Sequence, residues 1–174
     1  MIKKADLKKS IRNIADFPKP GILFRDITTL LKDKHAFKVA VNSLVKKYKN
    51  KKIDTVVAVE ARGFILGGAI AHRLGAGFVP VRKKGKLPGR AHSVTYELEY
   101  GTDTLEMHED AIRPADNVLI VDDLLATGGT AKAVVDLVKK QGARIKGIVF
   151  LIELTDLKGA EKLKEHPVYS LIKY

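Results

Sequence analysis

The chain has 174 residues, of which 45% are hydrophobic and 30% charged, and this length is enough for one domain with its own core. It contains no cysteine, which excludes disulfides, thiol nucleophiles and thiolate metal sites. The formal net charge of +12 has two interpretations: a lysine-rich solvated surface, or attraction of polyanions such as nucleic acid and phosphorylated substrates. We find neither a signal-peptide pattern nor an apolar run of about 20 residues, so we expect a soluble cytoplasmic protein without membrane attachment.

The predicted elements alternate between strands and helices. Residues 1–33, which contain two prolines, are predicted to cap the edge or the ligand end of a sheet, and residues 34–174 are predicted to form the core domain. Helical or strand-like periodicity then predicts helices over 34–50, 63–74 and 128–141, strands over 53–59, 78–81, 118–121 and 145–154, and a β-hairpin over 93–108. This order is typical of an α/β fold with a parallel sheet covered by helices on both faces.

The segment Val118–Thr130 is the most informative part of the sequence. An apolar strand is predicted to end at two adjacent carboxylates, and a loop of small and hydroxyl residues leads into a helix. Ligands of open parallel sheets bind beyond the carboxyl ends of the strands, and a glycine-rich helix N-terminus binds phosphate. The residues expected around a phosphate are Ala126, Thr127, Gly128, Gly129 and Thr130. The loop has no lysine at Walker spacing, so it is not a P-loop.

The carboxylates Asp122 and Asp123 precede this loop, although a lone carboxylate there would repel phosphate. A pair of them can accept hydrogen bonds from the vicinal hydroxyls of a ribose, which favours a 5-phosphorylated ribose as ligand. The alternative is a helix-capping turn. Arg62 follows another predicted strand and is placed for a second anion, and its alternative is a surface ion pair with Glu60.

The Val118–Thr130 segment resembles the phosphoribosyl pyrophosphate (PRPP) signature of the type I phosphoribosyltransferases, and it is most similar to their adenine-specific branch. The resemblance extends from about residue 8 to the end of the chain. It implies the type I fold with a flexible β-hairpin and a small N-terminal hood, and a role in purine salvage. The implied reaction transfers the 5-phosphoribosyl group from PRPP to N9 of adenine and gives AMP and pyrophosphate. The resemblance also implies a homodimer, and Mg²⁺ that is carried by the pyrophosphate rather than by protein ligands.

The cations that follow the predicted strands acquire roles through this resemblance. It implies that Arg62 lies in the pyrophosphate loop, with a strained non-proline cis peptide near Ala61-Arg62. It implies that Arg82 and Lys86 lie near the pyrophosphate, where they and Arg62 stabilise the charge that grows on the leaving group. Lys83 and Lys84 are equally well explained as solvated residues.

Glu99 and Tyr100 match the flexible-loop motif of the family. The resemblance implies that Glu99 manages the proton at N9 of adenine, and that Tyr100 covers the site and excludes water. Glu97, two residues earlier on the same face, is interpreted as part of a polar outer strand face.

Residues 17–27 closely match the hood of the adenine-specific enzymes. The resemblance implies that backbone groups near Leu23 read the edge of the base, that Phe24 stacks on its face, and that Arg25 belongs to the same adenine-binding segment. A fixed backbone carbonyl can reject bases that carry an oxo group in place of the exocyclic amine. Two alternatives stay open: Leu23 and Phe24 as core residues only, and an Arg25–Asp26 pair that holds the hood in place.

Three other functions remain open at this point. A transferase for another base is disfavoured by the hood motif. A regulator that keeps the fold but binds nucleic acid is compatible with the net charge, yet the chain has no room for an added DNA-binding domain, so nucleic acid is not the expected partner. A PRPP synthase-like role is disfavoured by the short length.

Overall fold

The computed structural model describes residues 4–97 and 101–174, so Glu99 and Tyr100 lie outside the described residues. The N-terminal part begins with a 3₁₀ helix, Lys4–Ser10. It continues with strands β1 (Arg12–Ile14) and β2 (Phe24–Asp26), which pair in a small antiparallel sheet, and with the short helix α1 (Thr28–Lys32). Helix α2 (Lys34–Lys46) follows, and the Asp33 carboxylate caps it by accepting hydrogen bonds from the N–H groups of His35 and Ala36.

A large sheet forms the centre of the molecule. Its strands in chain order are β3 (Thr55–Val59), β4 (Gly77–Lys83), β5 (Ala91–Glu97), β6 (Thr102–His108), β7 (Asn117–Leu125), β8 (Arg144–Glu153) and β9 (Val168–Lys173). Over the described residues these seven strands lie in the order β5-β6-β4-β3-β7-β8-β9. The five strands from β4 to β9 in this order are mutually parallel, whereas β5 and β6 form an antiparallel hairpin at the edge of β4. The predicted α/β class and its parallel sheet are confirmed.

Helices cover both faces of this sheet. Helices α2 and α3 (Arg62–Leu74) pack on one face, and α4 (Gly129–Lys140) packs on the other. Along β3, Val56 and Ala58 belong to the first core, while Val57 and Val59 belong to the second. The split follows from strand geometry, because successive side chains point to opposite faces. The longest helices in the described part of the chain have 13 residues, and none there is long and apolar enough to cross a membrane.

The structure differs from the sequence predictions at several boundaries. Strand β7 does not end at its two carboxylates but runs through them to Leu125, because its pairing with β8 continues as far as Leu125 and Glu153. The helix predicted to reach residue 50 ends at Lys46, after which the chain turns. Strand β9 was not predicted, and it extends the parallel sheet beyond β8.

Helix α3 lies unusually close to the sheet at Gly67. A Cβ atom placed on Gly67 would lie 2.5 Å from the Cβ of Ala58 on β3 and 3.0 Å from the ring of Phe78 on β4. The adjacent Gly68 faces open space, with nothing within 4 Å of the same position. Residue 67 must therefore be a glycine, because the helix lies too close to the sheet for a side chain there. This close packing holds α3 on the sheet, with its N-terminus at the carboxyl end of β3.

We expect Gly67→Ala to lower the free energy of unfolding by about 1–3 kcal/mol, because the added methyl overpacks the contact with Ala58. Urea denaturation followed by circular dichroism measures the change. The matched control is Gly68→Ala, which adds the same methyl in the same helix and should be neutral or stabilise the protein by about 0.5–1 kcal/mol. Equal losses in both variants would contradict the close-packing explanation.

Candidate active site

A cavity of about 420 Å³ opens at the carboxyl ends of β3 and β7. Its lining combines charged side chains of both signs with a tyrosine and a threonine; the polar members are Glu60, Arg62, Lys83, Tyr96, Asp103, Asp122, Asp123 and Thr130. A smaller cavity of about 140 Å³ lies along the loop at residues 126–130. Asp122 and Thr130 line both cavities, so the two cavities lie side by side.

The loop at residues 126–130, here called the phosphate loop, connects β7 with α4. Gly128 is the N-cap of α4 and has φ +80°, a left-handed conformation that glycine adopts without a steric penalty. Lys132 donates the first helical hydrogen bond, from its N–H to the carbonyl of Gly128. The N–H groups of the first helical turn before it have no partner within the helix, and together with the helix dipole they suit an anion.

The hairpin of β5 and β6 packs directly on the phosphate loop. The hydroxyl of Thr130 donates to the Tyr96 hydroxyl at 3.2 Å. Gly129 also lies against this strand, since a Cβ there would be 3.1 Å from the carbonyl oxygen of Glu97. Tyr96 was not among the predicted site residues, although strand alternation was a signal for it, because it shares a face with the half-buried Val94. Glu97 is exposed, in agreement with the predicted polar outer face.

Asp122 and Asp123 lie within β7, and Gly128 caps α4, so the helix-capping alternative is wrong. Asp122 accepts a hydrogen bond from the N–H of Asp123 at 2.8 Å. Burial raises the pKa of Asp122 well above its ordinary value, and the neighbouring Asp123 carboxylate raises it further. Burial also raises the pKa of Asp123, while the positive charge of Arg62 opposes this shift. Two adjacent acids are therefore held where full ionisation is costly without a cation or hydrogen-bond donors.

Arg62 is the first residue of α3, and its side chain contacts both Asp123 on β7 and Phe24 on β2. Its Nε lies 2.7 Å from Oδ2 of Asp123, in an ion pair that lacks hydrogen-bond geometry. Its guanidinium lies 5.2 Å from the centre of the Phe24 ring. The predicted alternative, a pair with Glu60, is wrong. The non-proline cis peptide lies between Glu60 and Ala61, one bond before the expected place.

Glu60 instead binds the two cations that were predicted to lie near a pyrophosphate. Nε of Arg82 donates to one carboxylate oxygen at 2.5 Å, and Nζ of Lys86 donates to the other at 2.5 Å. Arg82 also donates to the carbonyl of Lys86 at 2.8 Å, which closes the cluster. Burial raises the pKa of Glu60, but the hydrogen bonds from Lys86 and Arg82 outweigh it and leave the pKa below the ordinary value.

Lys83 is likewise paired, and the sequence had left it open between a role near the pyrophosphate and a solvated position. Its Nζ lies 2.8 Å from Asp103 on the facing strand β6, and this contact raises the pKa of Lys83. The pair lines the larger cavity beside Tyr96. Asp103 was not predicted as a site residue, because its sequence position in a turn gave no sign of the partner.

The N-terminal residues approach the cavity through Phe24. The Phe24 ring packs edge-to-face on the Phe17 ring, with the two ring centres 5.0 Å apart. The Phe24 ring also contacts the Arg62 guanidinium. Leu23 is 46% exposed, so the core-only alternative is wrong for this residue. The side chain of Arg25 donates to Asn13 at 2.5 Å and stacks on the Tyr174 ring at 3.9 Å.

Asp26 is held by Arg12 rather than by Arg25, so the predicted Arg25–Asp26 pair is wrong. Nε of Arg12 donates to Asp26 at 2.9 Å, and the N–H and hydroxyl of Thr28 donate to the same carboxylate at 2.9 Å. The backbone N–H of Thr28, followed by Arg12, lowers the pKa of Asp26 to about 2. This carboxylate ties β2 to β1 and to the start of α1.

We expect Asp122→Asn to raise the free energy of unfolding of the ligand-free protein at pH 7 by about 1 kcal/mol or more, since it removes a buried charge beside Asp123. A carboxyl with a raised folded-state pKa destabilises the fold increasingly as pH rises above its unfolded pKa. The gain should therefore shrink as pH falls toward 4. Urea denaturation at both pH values checks the prediction, with the exposed Asp110→Asn as control. A loss of stability at pH 7 would contradict the charge argument.

Asp26 should show the opposite pH dependence. Because its folded-state pKa is about 2, below the ordinary value of about 3.9, its contribution is present above pH 4 and is lost as pH falls from about 4 to about 2. We expect Asp26→Asn to lower stability by about 1 kcal/mol or more at pH 7. The difference from the parent protein should vanish near pH 2 in thermal unfolding curves, whereas the exposed Asp156→Asn should leave the curves unchanged at both pH values.

Comparisons with known proteins agree with this geometry. The family model described as "Phosphoribosyl transferase domain" matches residues 28–173. An adenine phosphoribosyltransferase of Bradyrhizobium sp. (strain ORS 278) is 57% identical over 171 residues, which cover 97% of this chain and 96% of the relative.

Two solved structures show the same likeness. That of adenine phosphoribosyltransferase from Thermoanaerobacter pseudethanolicus superimposes with a TM-score of 0.96 at 52% identity and covers 99% of this chain and 100% of that one. The enzyme from Saccharomyces cerevisiae, complexed with an imino-altritol bisphosphate and adenine, has a TM-score of 0.91 at 41% identity, with 97% of each chain covered. With its phosphate loop, paired acids and nearly full-length likeness, the chain belongs to the phosphoribosyltransferase family and, within it, to the adenine phosphoribosyltransferases.

Proposed function

We propose that the protein transfers the 5-phosphoribosyl group of PRPP to N9 of adenine in purine salvage, giving AMP and pyrophosphate. The observation that carries this proposal is the closeness of a helix N-terminus suited to an anion and two adjacent carboxylates, one buried and one half-buried, at one end of the sheet. The yeast relative, which is 41% identical, binds adenine together with a bisphosphate that has a sugar-like ring, and this supports the same pair of substrates here.

The phosphate loop holds the 5-phosphate in this proposal, through backbone N–H groups between Ala126 and Thr130 and through the hydroxyls of Thr127 and Thr130. Asp122 and Asp123 accept hydrogen bonds from the ribose hydroxyls. The elevated pKa of both acids supports the assignment, because hydroxyl donors relieve the cost of burying carboxylates that have few partners in the ligand-free protein.

Arg62, Arg82 and Lys86 stabilise the charge that grows on the departing pyrophosphate. In the ligand-free protein, Asp123 holds the first of these cations and Glu60 holds the other two. These carboxylates balance the positive charge of the cations, as the phosphates of bound PRPP would. In this proposal the pyrophosphate binds beside cations whose charge is already partly balanced by these carboxylates.

In this proposal residues 1–33 form a hood that covers the adenine, and residues 34–174 form the core domain. Leu23 presents backbone groups to the edge of adenine, and Phe24 presents its ring to the face. The exposed position of Leu23 and the contact between Phe24 and Arg62 support this arrangement. Arg25 completes the adenine-binding segment, and its contacts with Asn13 and Tyr174 support a role in holding that segment in place.

In the chemical step, N9 of adenine forms a bond to C1 of the ribose as the bond from C1 to the pyrophosphate oxygen breaks. Pyrophosphate leaves with the electron pair, and Glu99 manages the proton of N9. Tyr100 covers the reacting atoms and excludes water, which would otherwise hydrolyse the activated sugar. Both residues follow β5, whose last residues pack on the phosphate loop, and this connection supports their place in the site.

We propose that Mg²⁺ enters with the pyrophosphate of PRPP. Among residues 4–97 and 101–174, no group of three or more His, Asp or Glu side chains is arranged to hold a metal ion. Magnesium commonly binds through substrate phosphates, with one or two carboxylates and several waters. The ion neutralises the pyrophosphate and so makes it a better leaving group. We further propose that the protein acts in the cytoplasm as a homodimer, by analogy with its family.

Glu99→Gln tests the proposed proton transfer. We expect kcat for AMP formation to fall by about 10²–10⁴-fold, because the amide cannot take the proton, while the KM for PRPP changes little. A spectrophotometric assay with PRPP, Mg²⁺ and each of adenine, hypoxanthine, guanine and xanthine measures turnover and base selectivity together. The matched control is Glu97→Gln, two residues away along the chain, which should keep normal turnover.

Each outcome of this assay has a separate meaning. AMP formation from adenine alone supports the proposed function and the hood assignment. Turnover of another purine would overturn the assignment of the hood. If no base is consumed, the proposed function fails. If adenine is consumed and Glu99→Gln is as active as Glu97→Gln, only the role of Glu99 fails.

A further inference from the structure

A short 3₁₀ helix, Gly159–Leu163, lies behind the phosphate loop. It follows β8 and packs on α4 through Leu163, which is almost fully buried in the core on that face of the sheet. Gly159 is its first residue and is also buried. Gly159 lines neither of the two cavities, so it touches none of the space proposed for the substrates.

The backbone of Gly159 meets the backbone of the phosphate loop without room for a further atom. A Cβ at Gly159 would lie within 3.0 Å of the carbonyl oxygen of Ala126 and 2.9 Å from the amide nitrogen of Gly128. The contact is reciprocal, because a Cβ at Gly128 would collide with the carbonyl group of Gly159. The backbones of Gly128 and Gly159, which lie far apart in sequence, are therefore in direct contact.

The kind of atom on the other side of this contact decides what a substitution does. At Gly63, for comparison, an added Cβ would meet the carboxylate of Asp122, and a side chain can rotate away. At Gly159 the obstructing atoms belong to the main chain of Ala126 and Gly128. An added methyl therefore displaces the phosphate loop itself or the 3₁₀ helix behind it.

We propose that Gly159 is a positioning residue that sets the distance of the phosphate loop from the bound 5-phosphate. It acts through the backbone of Ala126 and Gly128, whose N–H groups and neighbours are placed to bind that phosphate. Small displacements suffice, because hydrogen bonds weaken steeply once their length and angle leave a narrow range. The proposal rests on the proposed function, since it assigns to the same loop the task of binding PRPP.

The test is Gly159→Ala, with the steady-state parameters measured separately for each substrate. We expect the KM for PRPP to rise about tenfold, with kcat and the KM for adenine within about twofold, because the 5-phosphate is remote from the reacting bonds and its loss affects binding of one substrate. Thermal-shift titrations with ribose 5-phosphate and with adenine give a readout independent of turnover. The shift with ribose 5-phosphate should weaken while the shift with adenine is retained.

Gly68→Ala is the matched control, because it adds the same methyl to a glycine that faces open space. Should Gly159→Ala fail to fold, Leu163→Val serves as the second variant. It shortens the buried side chain that holds the same 3₁₀ helix, without adding an atom, and should raise the KM for PRPP by about two- to threefold.

An unchanged KM for PRPP in a folded Gly159→Ala protein, or in Leu163→Val when the first variant does not fold, would overturn the positioning role. Equal increases in the KM for both substrates would also overturn it, since they would indicate a general loss of structure. If the parent protein makes no AMP from adenine, the proposed function fails. The thermal shifts with ribose 5-phosphate then still test Gly159 independently of turnover.

Discussion

The arrangement of the site depends on two adjacent carboxylates at the carboxyl end of β7, of which Asp123 is buried and Asp122 is half-buried. Asp122 and Asp123 continue a strand that is apolar from Val118 to Val121 and is paired on both sides over that stretch. The sheet places them there by backbone hydrogen bonding, against the electrostatic cost of bringing two acids together. That cost raises the pKa values of both carboxylates. A ligand with hydroxyl donors lowers this electrostatic cost by hydrogen bonding to the carboxylates. The carboxylates are already in place before the ligand binds, so no free energy is spent on positioning them.

The same principle extends to the cations around the cavity. Arg62, Arg82, Lys83 and Lys86 each have a carboxylate partner in the ligand-free protein. An unpaired cluster of this kind would repel itself and weaken the fold, and the carboxylates prevent this. The protein is thereby stable in the absence of a polyanion and still holds the cations within reach of one.

The architecture was predictable from the sequence because the burial of apolar side chains determines both the residue pattern and the fold. Continuous apolar runs predicted the buried parallel strands, and the loop between Asp123 and Thr130 predicted a turn into a helix. The partners of the charged residues were less predictable. The two alternatives that paired residues close in sequence, Glu60 with Arg62 and Arg25 with Asp26, are both wrong. In the fold the partners come from more distant parts of the chain. Glu60 pairs with Arg82 and Lys86, and Asp26 pairs with Arg12.

Other features had no local signal at all. Gly159 looks like any glycine in a polar stretch, and only the approach of the phosphate loop explains it. Asp103 lines the cavity because the hairpin pairs with β4 and packs on α4, which no spacing along the chain indicates. Strand β9 was missed because its six residues are only partly apolar and only two of them are buried. Such features depend on tertiary contacts, which a single sequence does not display.

The stacking of Arg25 on Tyr174 has a consequence for the order in which the chain assembles. Lys8 also lies over the Tyr174 ring, at 4.1 Å, and donates a hydrogen bond to the carbonyl of Lys173, 165 residues away in sequence. The first and last segments of the chain therefore meet on one aromatic ring, which is in place only when β9 has paired with β8. Contacts between such distant residues carry the largest loop-closure entropy and form late. The N-terminal segment proposed to recognise the base should thus be the last part of the molecule to dock during folding and the first to detach on mild denaturation, while the end of the sheet with the proposed phosphate site is still intact.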